Sequence, residues 1–116
     1  SITTTACTDT GLVNGTPYFY VVSAVNAGGE RTTSTPASVT PVSTAPTSFS
    51  FSSSGGMLSF SWPQDHIGWR LQTQTNTTSG GLGTNWVDVL GSTATNSVSL
   101  PMDVNNGSVF YRLVYP

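Results

Sequence analysis

The chain has 116 residues, 7% of them charged, with three Lys+Arg in all and a formal net charge of −2. That leaves room for a modest core and provides no basic patch to neutralise phosphates. Nucleic acid and membrane surfaces are excluded as expected partners, because no Lys/Arg-rich amphipathic stretch occurs and no apolar run reaches the ~18 residues of a membrane span.

The single Cys7 can close no internal disulfide, so the fold must stand on its core, and the thiol reads as a buried small hydrophobe. The chain opens on Ser1 and carries no signal-peptide pattern, so it reads as a piece of a longer, secreted, extracellular protein. Ser, Thr, Gly and Asn dominate the polar positions. Such a surface of hydroxyls and amides suits partners that also present hydroxyls, sugars above all.

In chain order, residues 1–41 carry three expected strands: Ile2 to Thr8, Pro17 to Asn26 and Arg31 to Val39. Asn14-Gly15 and the cluster Asn26-Ala-Gly-Gly29 separate them with residues that tolerate positive φ, and Pro36 and Pro41 discourage any helix. Period-2 parity puts Tyr18, Tyr20, Val22 and Ala24 on one face.

Gly11-Leu-Val-Asn-Gly-Thr-Pro-Tyr18, followed by a strand that ends Ala24-Val-Asn26 and a Gly turn, resembles the last three strands of a fibronectin type III domain. The resemblance implies a tyrosine-corner role for Tyr18, its hydroxyl bonding nearby backbone. The earlier strands of such a domain are not in front of this segment.

Pro41-Val-Ser-Thr-Ala-Pro-Thr47 has the composition of a linker. Strands are then expected at Ser48 to Ser52, Leu58 to Trp62, Trp69 to Asn76, Trp86 to Leu90, Ser97 to Met102 and Ser108 to Tyr115. Ser54-Gly-Gly56 reads as a hairpin turn and Asn105-Asn-Gly107 as another turn. No segment reads as a helix. The expected fold class is therefore all-β, an antiparallel β-sandwich of the fibronectin/immunoglobulin kind. The expected organisation is a single module over 1–116, in which residues 1–41 pack onto or complete a sandwich formed by 46–116, since three strands alone bury too little apolar surface.

Parity assigns Phe49, Phe51, Leu58, Phe60, Trp62, Val98, Leu100, Val109, Tyr111 and Leu113 to the core. Trp69 shares a face with Leu71 and reads first as a core residue, second as a ligand contact. With Val87 and Val89 inward, Trp86 and Asp88 face out, beside the strand that displays Arg70, Gln72 and Gln74; Phe110, Arg112 and Val114 would extend that outer face. An exposed indole can stack on the C–H face of a pyranose while amides, guanidinium and carboxylate bond its hydroxyls. The candidate carbohydrate-binding residues are thus Trp86, Gln72, Gln74, Arg70, Asp88, Arg112 and Trp69.

Catalytic chemistry finds little to work with. His66 has only its neighbour Asp65 close in sequence, and the pair reads as a turn stabiliser. The acids Asp9, Glu30, Asp65, Asp88 and Asp103 are scattered, which suits no glycosidase pair. One Cys and one His make no zinc site, and no calcium-loop spacing occurs. No cofactor, no metal and no catalytic residue are expected.

The string from Trp62-Pro-Gln-Asp-His-Ile-Gly-Trp69 through Asn85-Trp-Val-Asp-Val89 to the ending Phe110-Tyr-Arg-Leu-Val-Tyr-Pro116 resembles modules at the C-terminal ends of large secreted bacterial proteins. It is also similar to carbohydrate-binding modules attached to endoglucanases. That resemblance implies a non-catalytic module binding β-glucan (cellulosic chains, cello-oligosaccharides, mixed-linkage glucan or xyloglucan) on a flat sheet face, with a linked glycoside hydrolase in the parent chain. The alternative expectation is a structural spacer or C-terminal sorting domain with no ligand.

Overall fold

Alternating Ser and apolar residues, broken by Gly and Pro, produce ten short strands in the computed structural model, which describes residues 2–116. Helical turns are limited to two three-residue 3₁₀ segments, Gln64–His66 and Ser92–Ala94. The protein is all-β, with small antiparallel sheets. Among the described residues, no helix is long and apolar enough to cross a membrane.

The chain divides into two units, Ser1–Pro41 and Val42–Pro116, at the start of the Pro-containing segment read as a linker. The ladder partners of each strand belong to its own unit.

In the first unit β1 (Tyr18–Tyr20) pairs with β4 (Ala37–Val39), and β2 (Val25–Asn26) with β3 (Gly29–Glu30). The strand expected over Ile2 to Thr8 does not form, and the one expected over Pro17 to Asn26 splits in two. The split has a local cause: Ser34 takes over the bonding of Val22, its hydroxyl accepting from the Val22 N–H while its own N–H donates to the Val22 carbonyl. The Tyr18 hydroxyl accepts from the Val13 N–H at 3.0 Å. Cys7 is exposed, not buried as expected: no strand forms around it to carry its side chain inward.

The second unit has two sheets of three strands. One has the order β5 (Ser50–Ser54), β6 (Met57–Ser61), β9 (Ser97–Pro101); the other runs β10 (Ser108–Val114), β7 (Arg70–Asn76), β8 (Val87–Asp88). Gly55 and Gly56, both at positive φ, make the two-residue hairpin between β5 and β6.

Apolar side chains from both sheets meet in one cluster. Phe60, Trp62 and Leu71 are buried at its centre, with Phe49, Leu58, Val89, Val98, Leu100, Tyr111 and Leu113 packed around them. The rings of Phe60 on β6 and Tyr111 on β10 lie 4.5 Å apart between centroids, and Phe49 meets Phe60 edge-on at 5.5 Å. Burial of each large side chain of this kind stabilises by about 1.5–3 kcal/mol.

Two residues expected to face inward are exposed. Phe51 sits opposite Phe60 in the ladder yet is 70% exposed, because β5 is an edge strand with a neighbour on one side only. Val87 is exposed for the same reason on the two-residue edge strand β8. That strand is cut short by Ser92, a fully buried residue whose hydroxyl accepts from the Leu71 N–H at 3.1 Å where a strand carbonyl would otherwise stand.

Candidate functional site

The outer face of the β10–β7–β8 sheet is built around Gln72. The ladder places Arg112 of β10 and Asp88 of β8 directly opposite it, so three polar residues form one row across three strands. Both ends of the Gln72 amide are engaged. Its Nε2 donates to Asp88 Oδ1 at 2.6 Å, and its Oε1 accepts from Arg112 Nε at 2.8 Å. Arg70, two residues earlier on the same face, donates from Nη1 to Asp88 Oδ2 at 3.3 Å.

The hydrogen bond from Gln72, together with the charge and hydrogen bond of Arg70, holds the Asp88 carboxyl below its ordinary value against a smaller opposing effect of burial. Asp88 is thus a carboxylate at neutral pH.

Trp86 has the same parity as Asp88 and is half-buried. Its ring is not bare: the guanidinium carbon of Arg112 lies 4.2 Å from the ring centroid, a cation–π contact. The Arg112 side chain reaches over Gln72 to make it, and Gln72 is only 9% exposed in consequence. Arg112 itself stays exposed, so a ligand approaching this face meets a guanidinium before an indole. In place of the open stripe expected from parity, the face carries a half-buried indole with a guanidinium laid on it.

Gln74 faces the same side but is 2% exposed, not displayed to solvent as expected. Its Oε1 accepts from the Gly83 N–H at 2.8 Å and from Asn76 Nδ2 at 2.7 Å, while its Nε2 donates to the Gly83 carbonyl at 3.4 Å. The side-chain amide thereby imitates a strand partner for the loop between β7 and β8, and the loop covers it. Asn76 and Asn85 continue the network: Asn85 Nδ2 donates to Asn76 Oδ1 at 3.1 Å, and Asn76 Nδ2 also donates to the Gly81 carbonyl at 2.8 Å. Asn85 directly precedes Trp86, so the network fixes the stem from which the indole projects. Sequence reasoning missed Asn76, Asn85 and Gly83; the signal available was Asn76 extending the parity of Gln72 and Gln74.

Trp69 is 7% exposed and stands apart from this row. Its Nε1 donates to the Ser43 carbonyl at 2.8 Å, and its ring packs against His66 at 5.0 Å and Tyr115 at 5.6 Å. Its ring is buried and its donor engaged inside the protein, in keeping with the reading of Trp69 as a core residue. Of the seven candidates, Trp86, Gln72, Arg70, Asp88 and Arg112 are brought together, whereas Gln74 supports them from beneath a loop and Trp69 does not join them.

His66 is buried, as Asp65 and Ala45 hold both ring nitrogens: Nδ1 lies 2.7 Å from Asp65 Oδ1 and Nε2 lies 2.9 Å from the Ala45 carbonyl. The pair ties the Gln64–His66 turn to the segment before β5. Among the described residues, no group of three His, Cys, Asp or Glu side chains is placed to hold a metal ion.

Comparison with protein-family models, with curated proteins and with solved structures finds no match for this chain.

Proposed function

We propose that residues 42–116 form a fibronectin/immunoglobulin-like β-sandwich that acts as a non-catalytic carbohydrate-binding module. It takes β-glucan chains across the outer face of β10–β7–β8 and, in a secreted parent protein, holds a linked glycoside hydrolase on its polysaccharide. The observation that carries this reading is the pre-positioned group of Arg112 stacked on Trp86 beside the Asp88–Gln72–Arg112 row. Arg112 offers Nη donors and Asp88 further acceptor capacity to ring hydroxyls, while the half-buried indole supplies apolar surface next to them. Because these groups are already ordered by one another, little side-chain entropy is lost on binding.

A second reading, the ligand-free structural spacer or sorting domain, has one observation in its favour: the amides of Gln72 and Gln74 are consumed by bonds within the protein. Affinity electrophoresis separates the two. Wild-type protein is expected to be retarded in gels containing soluble mixed-linkage, cellulosic or xyloglucan chains, and Trp86→Ala to run closer to its position in the blank gel. Wild type unretarded in all three gels would remove the binding reading and leave the spacer.

A further inference from the structure

The chain has only three basic residues, and two of them, Arg70 and Arg112, project from neighbouring strands onto this one face. A single carboxylate, Asp88, shares the face, on the β8 side of Gln72 away from Arg112; it is ion-paired with Arg70 and accepts a hydrogen bond from the Gln72 amide. Among the described residues no carboxylate pairs with Arg112, and its Nη1 and Nη2 make no hydrogen bond. Arg112 is therefore an exposed cation with no carboxylate partner, in a protein whose net charge is −2.

That cation is held in place. Its Nε is committed to Gln72 Oε1 at 2.8 Å, and its guanidinium carbon lies 4.2 Å over the Trp86 ring. A stacking contact uses no N–H donor. What remains is the Nη1/Nη2 end of the fork, the edge that meets the two oxygens of a carboxylate with parallel hydrogen bonds. Sugar hydroxyls can also accept from these donors, but only a carboxylate both fills the fork and compensates the charge.

Resting on the carbohydrate-binding reading, we propose that the glycan recognised here carries carboxylates: Arg112 clamps the carboxylate of a uronic acid unit, while the adjoining pyranose ring lies along Arg70 and Asp88. Trp86 and Gln72 orient the guanidinium, and the Arg70–Asp88 pair beside it supplies a donor and an acceptor for ring hydroxyls.

The test uses the full chain and one soluble mixed-linkage β-glucan in two forms, untreated and with its primary hydroxymethyl groups oxidised to carboxylates. Dissociation constants come from affinity electrophoresis at neutral pH, with poly-glutamate as a carboxylate polymer lacking sugar rings. Wild type is expected to bind the oxidised glucan roughly tenfold or more tightly than the untreated one, the ratio belonging to a charge-assisted bidentate contact. Arg112→Gln is expected to weaken neutral binding several-fold, through loss of its Nη donors and of the stack on Trp86, and to weaken oxidised-glucan binding more, so that the preference between the two polymers falls to about one; Arg112→Lys, which keeps the charge but not the fork, should keep part of the preference.

Retardation of wild type by neither glucan would overturn the carbohydrate reading and this inference together. Equal retardation by both would overturn the inference alone. Arg112→Gln losing both polymers in proportion, or poly-glutamate binding as tightly as the oxidised glucan, would also overturn it, the first by making Arg112 a general support and the second by making the site a plain polyanion contact.

Discussion

Replacing His66 by alanine should destabilise the second unit by an amount that depends on pH. A backbone carbonyl and a carboxylate can only accept hydrogen bonds, so both contacts of the His66 ring are satisfied at once only when both ring nitrogens carry protons. Burial pushes the imidazole pKa down, but the bond to the Ala45 carbonyl and the bond and charge of Asp65 outweigh it, and His66 is held above its ordinary value.

A folded-state pKa raised above the unfolded one contributes stability that is fully present below the unfolded value, about 6.5, and is lost as pH rises through the folded value. At about pH 5.5, removal of the ring deletes a charge-assisted, part-buried bond to the Ala45 carbonyl, a bond to a half-exposed carboxylate that solvent partly screens, and packing against Trp69. The expected loss there is roughly 2–4 kcal/mol.

Urea unfolding followed by tryptophan fluorescence measures it directly, because Trp62, Trp69 and Trp86 all lie in the second unit. The gap between wild type and His66→Ala should narrow from about pH 5.5 to about pH 8.5. A constant gap would show that folding leaves the imidazole pKa unshifted, and a gap that widens toward alkaline pH would show that folding lowers it; either result refutes the reasoning.

Two further substitutions test the framework around the site. Gln74→Ala removes the side chain that binds both the N–H and the carbonyl of Gly83; it should cost roughly 1–3 kcal/mol and accelerate amide exchange of the loop before Trp86 by hydrogen–deuterium exchange, without change in β5, β6 and β9. At Gly107 a Cβ would fall 2.6 Å from the Asn76 carbonyl oxygen and 2.7 Å from the Thr78 nitrogen. Gly107→Ala should therefore destabilise by about 1–3 kcal/mol in urea titration, whereas Gly81→Ala, with nothing within 4 Å of the added carbon, should stay within about 0.5 kcal/mol of wild type.

Much of the second unit could be read from residue order. Period-2 alternation located β5, β6, β7, β9 and β10 to within two residues, and Gly55-Gly56 marked the hairpin, because turn chemistry and parity act over neighbouring residues. The same parity put Gln72, Asp88 and Arg112 on one outer face, where the ladder sets them in one row. In the first unit, Tyr18 and its backbone partner Val13 are five residues apart, near enough for a local motif to announce them.

Residue order by itself determined the all-β class, the turns, and which side of each strand a residue takes, since these depend on φ preferences and on alternation along one strand. It did not determine what lies over that side. Only the tertiary structure laid the Arg112 guanidinium on Trp86, folded the Gly83 loop over Gln74, turned Trp69 toward Ser43, and left Phe51 uncovered at an edge. Each of these depends on which chain segment arrives opposite, a pairing between residues distant in sequence, or on the absence of a neighbour at the end of a sheet. For this face the difference is chemical: parity alone offered a bare indole, and the fold presents a held cation.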